Sequence, residues 1–310
     1  MTVPAVNQDL ATDEGLRARR GAASRPSDVR LQSRSSELGD FLRSRRDRLT
    51  PEAAGVISYG RRRVPGLRRE ELAQLAGVSI TYLTRLEQGQ SRNASDAVLA
   101  GLARALRLDD DERAHLHALA HAEPTLRSRP VRPETPRPGA VQLVRAIAEG
   151  PTLLLGRFND VLAWNPLAHG LVAGHLDPDA PADRGARPNL IRMLFLDPHT
   201  RALYRDWESE AALAVASLRY VAAEFPDDVR IAHLVGEIST DSPDFARMWA
   251  RHSVRLCTSG TKLLHHPSVG DLDLDYEVLH LPQGDGQRLL TFTAPRGSAS
   301  EAGLRLLHAA

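Results

Sequence analysis

Between Ser79 and Arg85 the chain gathers Ser79, Thr81, Tyr82, Thr84 and Arg85, side chains that offer hydroxyl, methyl and guanidinium groups. Groups of that kind read base edges. The forked guanidinium of Arg85 suits a bidentate contact to guanine, and Thr81 suits a hydroxyl or methyl contact. They do so only if one helix presents them together, and the surrounding stretch 67–89, LRREELAQLAGVSITYLTRLEQG, has the spacing for it. Leu72 and Ala73 fall inward on a first short helix. Gly77 can take the left-handed turn that other residues resist. Val78 fills the corner, Ser79 is a good N-cap, and Leu83 and Leu86 fall inward on a second helix. Ile80, Thr81, Tyr82, Thr84 and Arg85 remain outside, where a helix lying in the major groove would offer them to DNA.

The ending Leu86-Glu87-Gln88-Gly89 and the following amphipathic run AVLAGLARALRL, 97–108, resemble the phage-repressor/Cro type of helix-turn-helix, a five-helix domain also called the xenobiotic-response-element (XRE) family. That resemblance implies that Ser79 to Arg85 read bases and that Arg69, with Arg68 beside it, contacts phosphate. Arg61, Arg62 and Arg63 lie in a Pro- and Gly-punctuated loop before the motif, where they serve either phosphate contact or an ordinary solvated surface. Residues 1–92 hold 17 arginines and 11 carboxylates, a net of +6, whereas the whole chain carries only +1 and the remainder −5. Basic charge is therefore concentrated on the half that would neutralise phosphates.

At 310 residues the chain is long for a single core, and 42% hydrophobic content is ordinary for a globular protein. It has no apolar run long enough to span a bilayer and no apolar signal-peptide core, so a soluble cytoplasmic protein without a membrane partner is expected. Cys257 is the only cysteine, which excludes an internal disulfide and a multi-cysteine metal site. Residues 1–35 lack a sustained apolar period and read as a disordered tail. ELGDFLRSRRDRL then places Leu38, Phe41, Leu42 and Leu49 on one helical face, with Arg43, Arg45 and Arg46 elsewhere. A fifth helix follows Asp109. Its His117 and His121 are four apart and share a face, yet the local sequence supplies no third ligand, so no metal is expected. The stretch from Glu123, EPTLRSRPVRPETPRPGA, carries five prolines in eighteen residues and reads as an extended linker. The organisation expected is a helix-turn-helix domain over 36–122, a linker over 123–139 and a second domain over 140–310.

That second domain opens with a helix over 141–149. Two short apolar runs, Thr152 to Leu155 and Val161 to Trp164, flank a turn, and Asn165-Pro166 caps a helix. Helical stretches follow at LYRDWESEAALAVASLRYVAAEF and SPDFARMWARHSV. Three alternating strands, GTKLLHHP, GDLDLDYEVLHLP and QRLLTFTAP, then complete a meander of the kind that closes a PAS-like sheet. In the second helical stretch Phe245, Met248, Trp249 and His252 follow i, i+3, i+4, i+7. An imidazole on an apolar face is either a satisfied core histidine or a head-group contact for an apolar ligand. Trp164, Phe195, Met248, Trp249 and His252 are the candidate ligand-binding residues, each equally readable as core.

From about Glu37 to Leu307 the chain resembles the MmyB-like transcription regulators. The likeness is carried by RRRVPGLRREELAQLAGVSITYLTRLEQG, RFNDVLAWN, NLIRMLFLDP, MWARHSV and SGTKLLHHPSVGDLDLDYEVL, in that order. The resemblance implies a DNA-binding domain joined to a PAS-like ligand-binding domain, with a long-chain fatty acid or similar apolar molecule as effector. The expected fold class is thus α+β: an N-terminal all-α five-helix helix-turn-helix domain and a C-terminal PAS-like α/β sensor domain with an antiparallel sheet.

An enzyme would need parts that are missing. There is no Gly-x-Ser-x-Gly elbow, no phosphate-binding Walker loop and no dinucleotide glycine pattern, so neither catalysis nor a cofactor is expected. Two readings of the second domain stay open, a small-molecule sensor and a module that only dimerises or binds a protein partner. The partners expected are double-stranded DNA, an inverted-repeat operator read by a homodimer, and an apolar effector. Because the Pro-rich linker looks too extended to transmit force, coupling between the domains is expected to pass through a dimer contact.

Overall fold

The structure, a computed structural model, describes residues 26–56, 64–91, 94–121, 134–225, 228–282 and 286–309, and side chains from residue 37 onward. Helix α1 spans Pro26–Arg48 and so begins ten residues before the expected start of order, opened by a proline whose fixed φ suits a first helical turn. Residues 1–25 of the expected tail, and 122–133 of the expected linker, lie outside the described residues. α2 (Arg69–Ala76) and α3 (Ile80–Glu87) meet at Gly77, which has φ 70° and ψ 31°. α4 (Asp96–Ala105) crosses α2 so closely that a side chain at Gly101 would collide with the Ala76 carbonyl oxygen. α5 (Asp110–His121) is started by a reciprocal cap in which the Asp109 carboxylate accepts the Glu112 N–H at 2.8 Å. Leu42, Leu72, Leu83, Leu86, Leu102 and Leu116 form the fully buried centre of these five helices.

In the second domain α6 begins at Pro138 and ends at Ala146, so its first turn lies inside the Pro-rich stretch. β1 (Thr152–Leu155) and β2 (Val161–Trp164) form the expected hairpin, and α7 (Pro166–Ala173) is capped by Asn165, whose side chain accepts the Ala168 N–H. Then come α8 (Leu190–Leu196), α9 (Pro198–Leu203), α10 (Trp207–Glu224), α11 (Val229–Asp241) and α12 (Pro243–Trp249). β3 (Ser259–His266), β4 (Gly270–His280) and β5 (Arg288–Thr293) make the meander, and α13 (Ala299–Ala309) closes the chain. The described strands form one antiparallel sheet in the order β2-β1-β5-β4-β3. The meander's last strand therefore returns to pair with the hairpin's first.

Alternation along β1 assigns the faces of the sheet. Leu154 packs with Ala140 and Val144 of α6, while Leu153 and Leu155 face the opposite side, among Phe292, Tyr276 and Leu274. α8, α10, α11 and α12 build a separate apolar layer beyond that side, around Phe245, Leu218 and Ile238. Among the described residues no helix is long and apolar enough to cross a membrane.

Candidate functional site

Helix α3 presents its outer face as the sequence spacing requires. Ser79, Ile80, Thr81 and Arg85 are exposed, Tyr82 and Thr84 half-buried, and Leu83 and Leu86 buried beneath them. The Ser79 hydroxyl accepts the Tyr82 N–H at 3.1 Å, which fixes the start of the helix. Thr84 donates its hydroxyl to the Ile80 carbonyl at 2.8 Å and so is partly engaged within the helix. No hydrogen bond or ion pair holds the Arg85 guanidinium among the described residues. Ile80, 48% exposed, is a large apolar side chain left at the N-terminal end of the same face.

Beneath that face lies a feature that residue spacing did not disclose. Glu87, the last residue of α3, is 1% exposed and receives two arginines: Arg46 Nε lies 2.8 Å from Oε1 and Arg69 Nε 2.5 Å from Oε2. Arg46 also donates to the Leu67 carbonyl at 2.9 Å. Arg46, and Arg45 beside it, are thus buried polar anchors rather than surface charges, because α1 turns that face toward α3 and α5. Arg69, half exposed, has its Nε committed to Glu87. Arg68 is exposed, and its backbone N–H donates to Glu71 at 2.7 Å in the cap of α2. Arg61, Arg62 and Arg63 lie outside the described residues.

The fold also supplies a third potential ligand beside the His117 and His121 pair. Asp96, at the start of α4, sits 2.9 Å from His121 and 3.9 Å from His117, a proximity across two helices that local spacing cannot show.

In the second domain a mostly apolar cavity of ≈ 120 Å³ lies between the inner face of the sheet and the helices above it. Leu153, Leu155, Leu290 and Phe292 supply the sheet side, and Ile191, Leu194, Leu213 and Ala214 the helical side. Two cationic side chains, Lys262 and Arg288, are among the polar residues that line it. Lys262 contacts both oxygens of Glu210, at 2.5 and 2.6 Å, and lies over the Tyr276 ring, so its charge is already met. Arg288 differs. Its guanidinium donates to the Gly156 and Arg157 carbonyls at 2.9 and 3.2 Å and to the Asn159 amide oxygen at 2.7 Å, and no carboxylate pairs with it among the described residues. Burial depresses its pKa to about 10. Burial likewise pushes the Tyr276 phenol up to about 12 and raises the Cys257 thiol, so both stay neutral beside the cavity.

None of the five candidate ligand residues lines this cavity. Trp164 donates its indole N–H to the Pro178 carbonyl at 2.7 Å, and Phe195 and Met248 pack in the helical layer with Phe245. Trp249 stacks on Phe245 and carries the Arg219 guanidinium 4.0 Å over its ring. α12 stops at Trp249, so the i+7 position fails: His252 lies beyond the helix end, at φ 51°. Its carbonyl instead accepts from Arg45 of α1 at 2.8 Å.

His252 therefore belongs to a direct contact between the two domains. Val254 inserts into the helix-turn-helix core, Tyr220 of α10 packs against it, and the Leu256 N–H donates to Asp111 of α5 at 3.0 Å. Arg45 pairs with Glu112 of α5 at 2.8 Å. His115 of α5 is buried edge-on against Phe41, and burial with Arg219 and Arg45 nearby lowers its pKa to about 3. Burial, with Arg219 next, lowers His252 to about 4.

Compared with known families, residues 136–307, more than half of the chain, match the MmyB-like transcription regulator ligand binding domain, and residues 37–116 match a helix-turn-helix domain. No curated protein matches the chain.

Proposed function

The chain belongs to the MmyB-like transcription regulators, a DNA-binding helix-turn-helix domain joined to a ligand-binding domain, and we propose that its effector is an apolar molecule with an acidic head, a long-chain fatty acid that would have to widen the ≈ 120 Å³ cavity as it enters. The observation that carries this is Arg288. A buried guanidinium hydrogen-bonded to carbonyl and amide oxygens has no carboxylate in direct contact among the described residues, Glu134 and Glu224 acting on it only at longer range, and it borders a cavity with largely apolar walls. A carboxylate head would supply a direct ion pair while the alkyl chain lies along Leu153, Leu290 and Phe292. Lys262, neutralised by Glu210, is the weaker anchor.

Titration of the full-length protein with a long-chain fatty acid and with the alcohol of equal length tests this. The acid is expected to bind at least about tenfold tighter, and Arg288→Gln to remove that preference, consistent with the ~1.5–3 kcal/mol of a charged hydrogen bond. Equal binding of acid and alcohol by the parent protein would contradict the assignment.

We further propose that α3 reads an inverted-repeat operator as one of two copies in a homodimer, through Thr81, Tyr82, Arg85 and the Ser79 and Thr84 hydroxyls. Arg68, Arg69 and Arg61 to Arg63 are assigned to phosphates, and Ile80 fits a thymine methyl. The route from effector to DNA is assigned to α10 and the segment after α12. Leu213, Ala214 and Ser217 of α10 line the cavity while Tyr220 of the same helix packs on the helix-turn-helix core, and Cys257 lines the cavity one residue after Leu256 bonds Asp111. Contacts within one chain thus offer a shorter path than the dimer contact expected from the linker.

A further inference from the structure

We propose that His175, Asp197 and His199 form a binding site for a divalent transition-metal ion; none of the three lines the effector cavity, which the site adjoins through Thr200. His175 lies in the turn after α7, Asp197 caps α9, and His199 is the second residue of α9. His175 Nε2 is 2.6 Å from Asp197 Oδ2, His199 Nδ1 is 3.3 Å from Oδ1, and one donor atom from each residue falls within 4.8 Å of the others. The two imidazoles are stacked, 4.6 Å between centroids and 16° between planes, with both rings directed at one carboxylate.

The carboxylate is itself held in place. Thr200 donates its hydroxyl to Oδ2 at 2.8 Å, and the His199 backbone N–H donates to Oδ1 at 2.9 Å. Such outer partners orient a ligand and tune its affinity. A single histidine beside an aspartate is an ordinary hydrogen-bonded pair. The cap at Asp197 brings His199 to the same carboxylate, where its ring stacks on that of His175, and two imidazolium ions in that position would repel. One cation shared by two nitrogens and an oxygen resolves the arrangement. Tetrahedral zinc with bonds of about 2.0–2.2 Å needs donors roughly 3.3 Å apart, which rotation of the exposed His199 ring and a slight opening of the His175 contact provide. Two imidazoles and a carboxylate suit Zn²⁺, Co²⁺ or Ni²⁺ and leave one position open, whereas Mg²⁺ and Ca²⁺ prefer oxygen ligands throughout.

The cluster of Asp96, His117 and His121 is a looser set. Its side chains are 82%, 41% and 50% exposed, against 26% for His175, 21% for Asp197 and 73% for His199, and among the described residues no hydroxyl fixes its carboxylate in the way Thr200 fixes Asp197. It serves as the internal control. Full-length protein carrying His117→Ala and His121→Ala, stripped with EDTA and dialysed, would be titrated with Co²⁺ and followed by its visible d–d absorption. One tight equivalent with a tetrahedral spectrum is expected. His199→Ala and His175→Ala, each added to that background, are expected to weaken it at least about tenfold, and Thr200→Val to weaken it by about the same factor through the carboxylate. His199 is largely exposed, so its variant keeps the fold, checked by an unchanged melting temperature in EDTA. Absence of a Co²⁺ spectrum in the control background, or affinity unchanged by both histidine substitutions, would overturn the site.

Discussion

At the scale of single residues, Arg85 and Glu87 sit two positions apart and do opposite work. Arg85 is exposed on the outer face of α3, and no partner holds it among the described residues. Arg85→Ala is therefore expected to cost roughly 1–3 kcal/mol on the specific operator while leaving non-specific binding nearly intact. Footprinting that showed unchanged operator preference would remove α3 from the groove. Glu87 is buried between Arg46 and Arg69. Glu87→Ala strands the Arg46 guanidinium in the core and is expected to lower unfolding stability by about 3–5 kcal/mol, whereas Arg69→Ala, at a half-exposed partner, costs about 1 kcal/mol or less. Urea unfolding distinguishes the two, and equal losses would mean that Glu87 draws its stability elsewhere. The outer face of α3 was legible because an N-cap, a glycine turn and two inward leucines define which side faces out. Arg46, Glu87 and Arg288 were not, because the partners of a buried ion are set by tertiary approach. Arg46 meets Glu87 across 41 positions, and Arg288 meets the Gly156 carbonyl across 132.

At the scale of elements, α5 and α10 join the two domains and carry a titratable group in the join. His115 of α5 faces Arg45, Arg219 and His252, and its folded-state pKa of about 3 lies below the ordinary 6.5. Between those values the unfolded chain binds a proton that the folded protein excludes. Stability is thus complete above about pH 6.5 and falls as pH drops toward 3, by up to about 1.4 kcal/mol per unit from this buried group. His252, lowered to about 4, acts in the same direction with a smaller effect because it is more exposed. His115→Phe is expected to flatten the decline of the unfolding midpoint between pH 6.5 and 4.5. A variant that kept the parent's slope would show that His115 is not the group responsible. The strands and their hairpin were readable from alternation and turn residues. The helices α8, α9, α11 and α13 were not anticipated; α8 and α9 are only seven and six residues long and start on Asn189 and Asp197 caps, whereas the longer α11 and α13 were simply not read. His252 was placed on a helix that ends three residues before it, with no glycine or proline to mark the stop.

At the scale of the whole molecule, one helix-turn-helix covers too few base pairs for useful specificity, so a dimer on an inverted repeat is expected. Its half-site centres should lie about 34–36 Å apart or at a multiple of that, and sedimentation showing one protomer on a single half-site would exclude it. We propose that occupancy of the cavity and affinity for DNA are linked within this chain. Because an effector acts only by its differential affinity for the DNA-competent state, the linkage is a measurable factor. Fluorescence anisotropy of labelled operator DNA, titrated with the full-length protein with and without saturating long-chain fatty acid, reads it directly. A shift in DNA affinity of about 5–150-fold is predicted, abolished by Ala214→Trp, which fills the cavity. Superimposable titrations of the parent protein with and without the fatty acid would contradict the account.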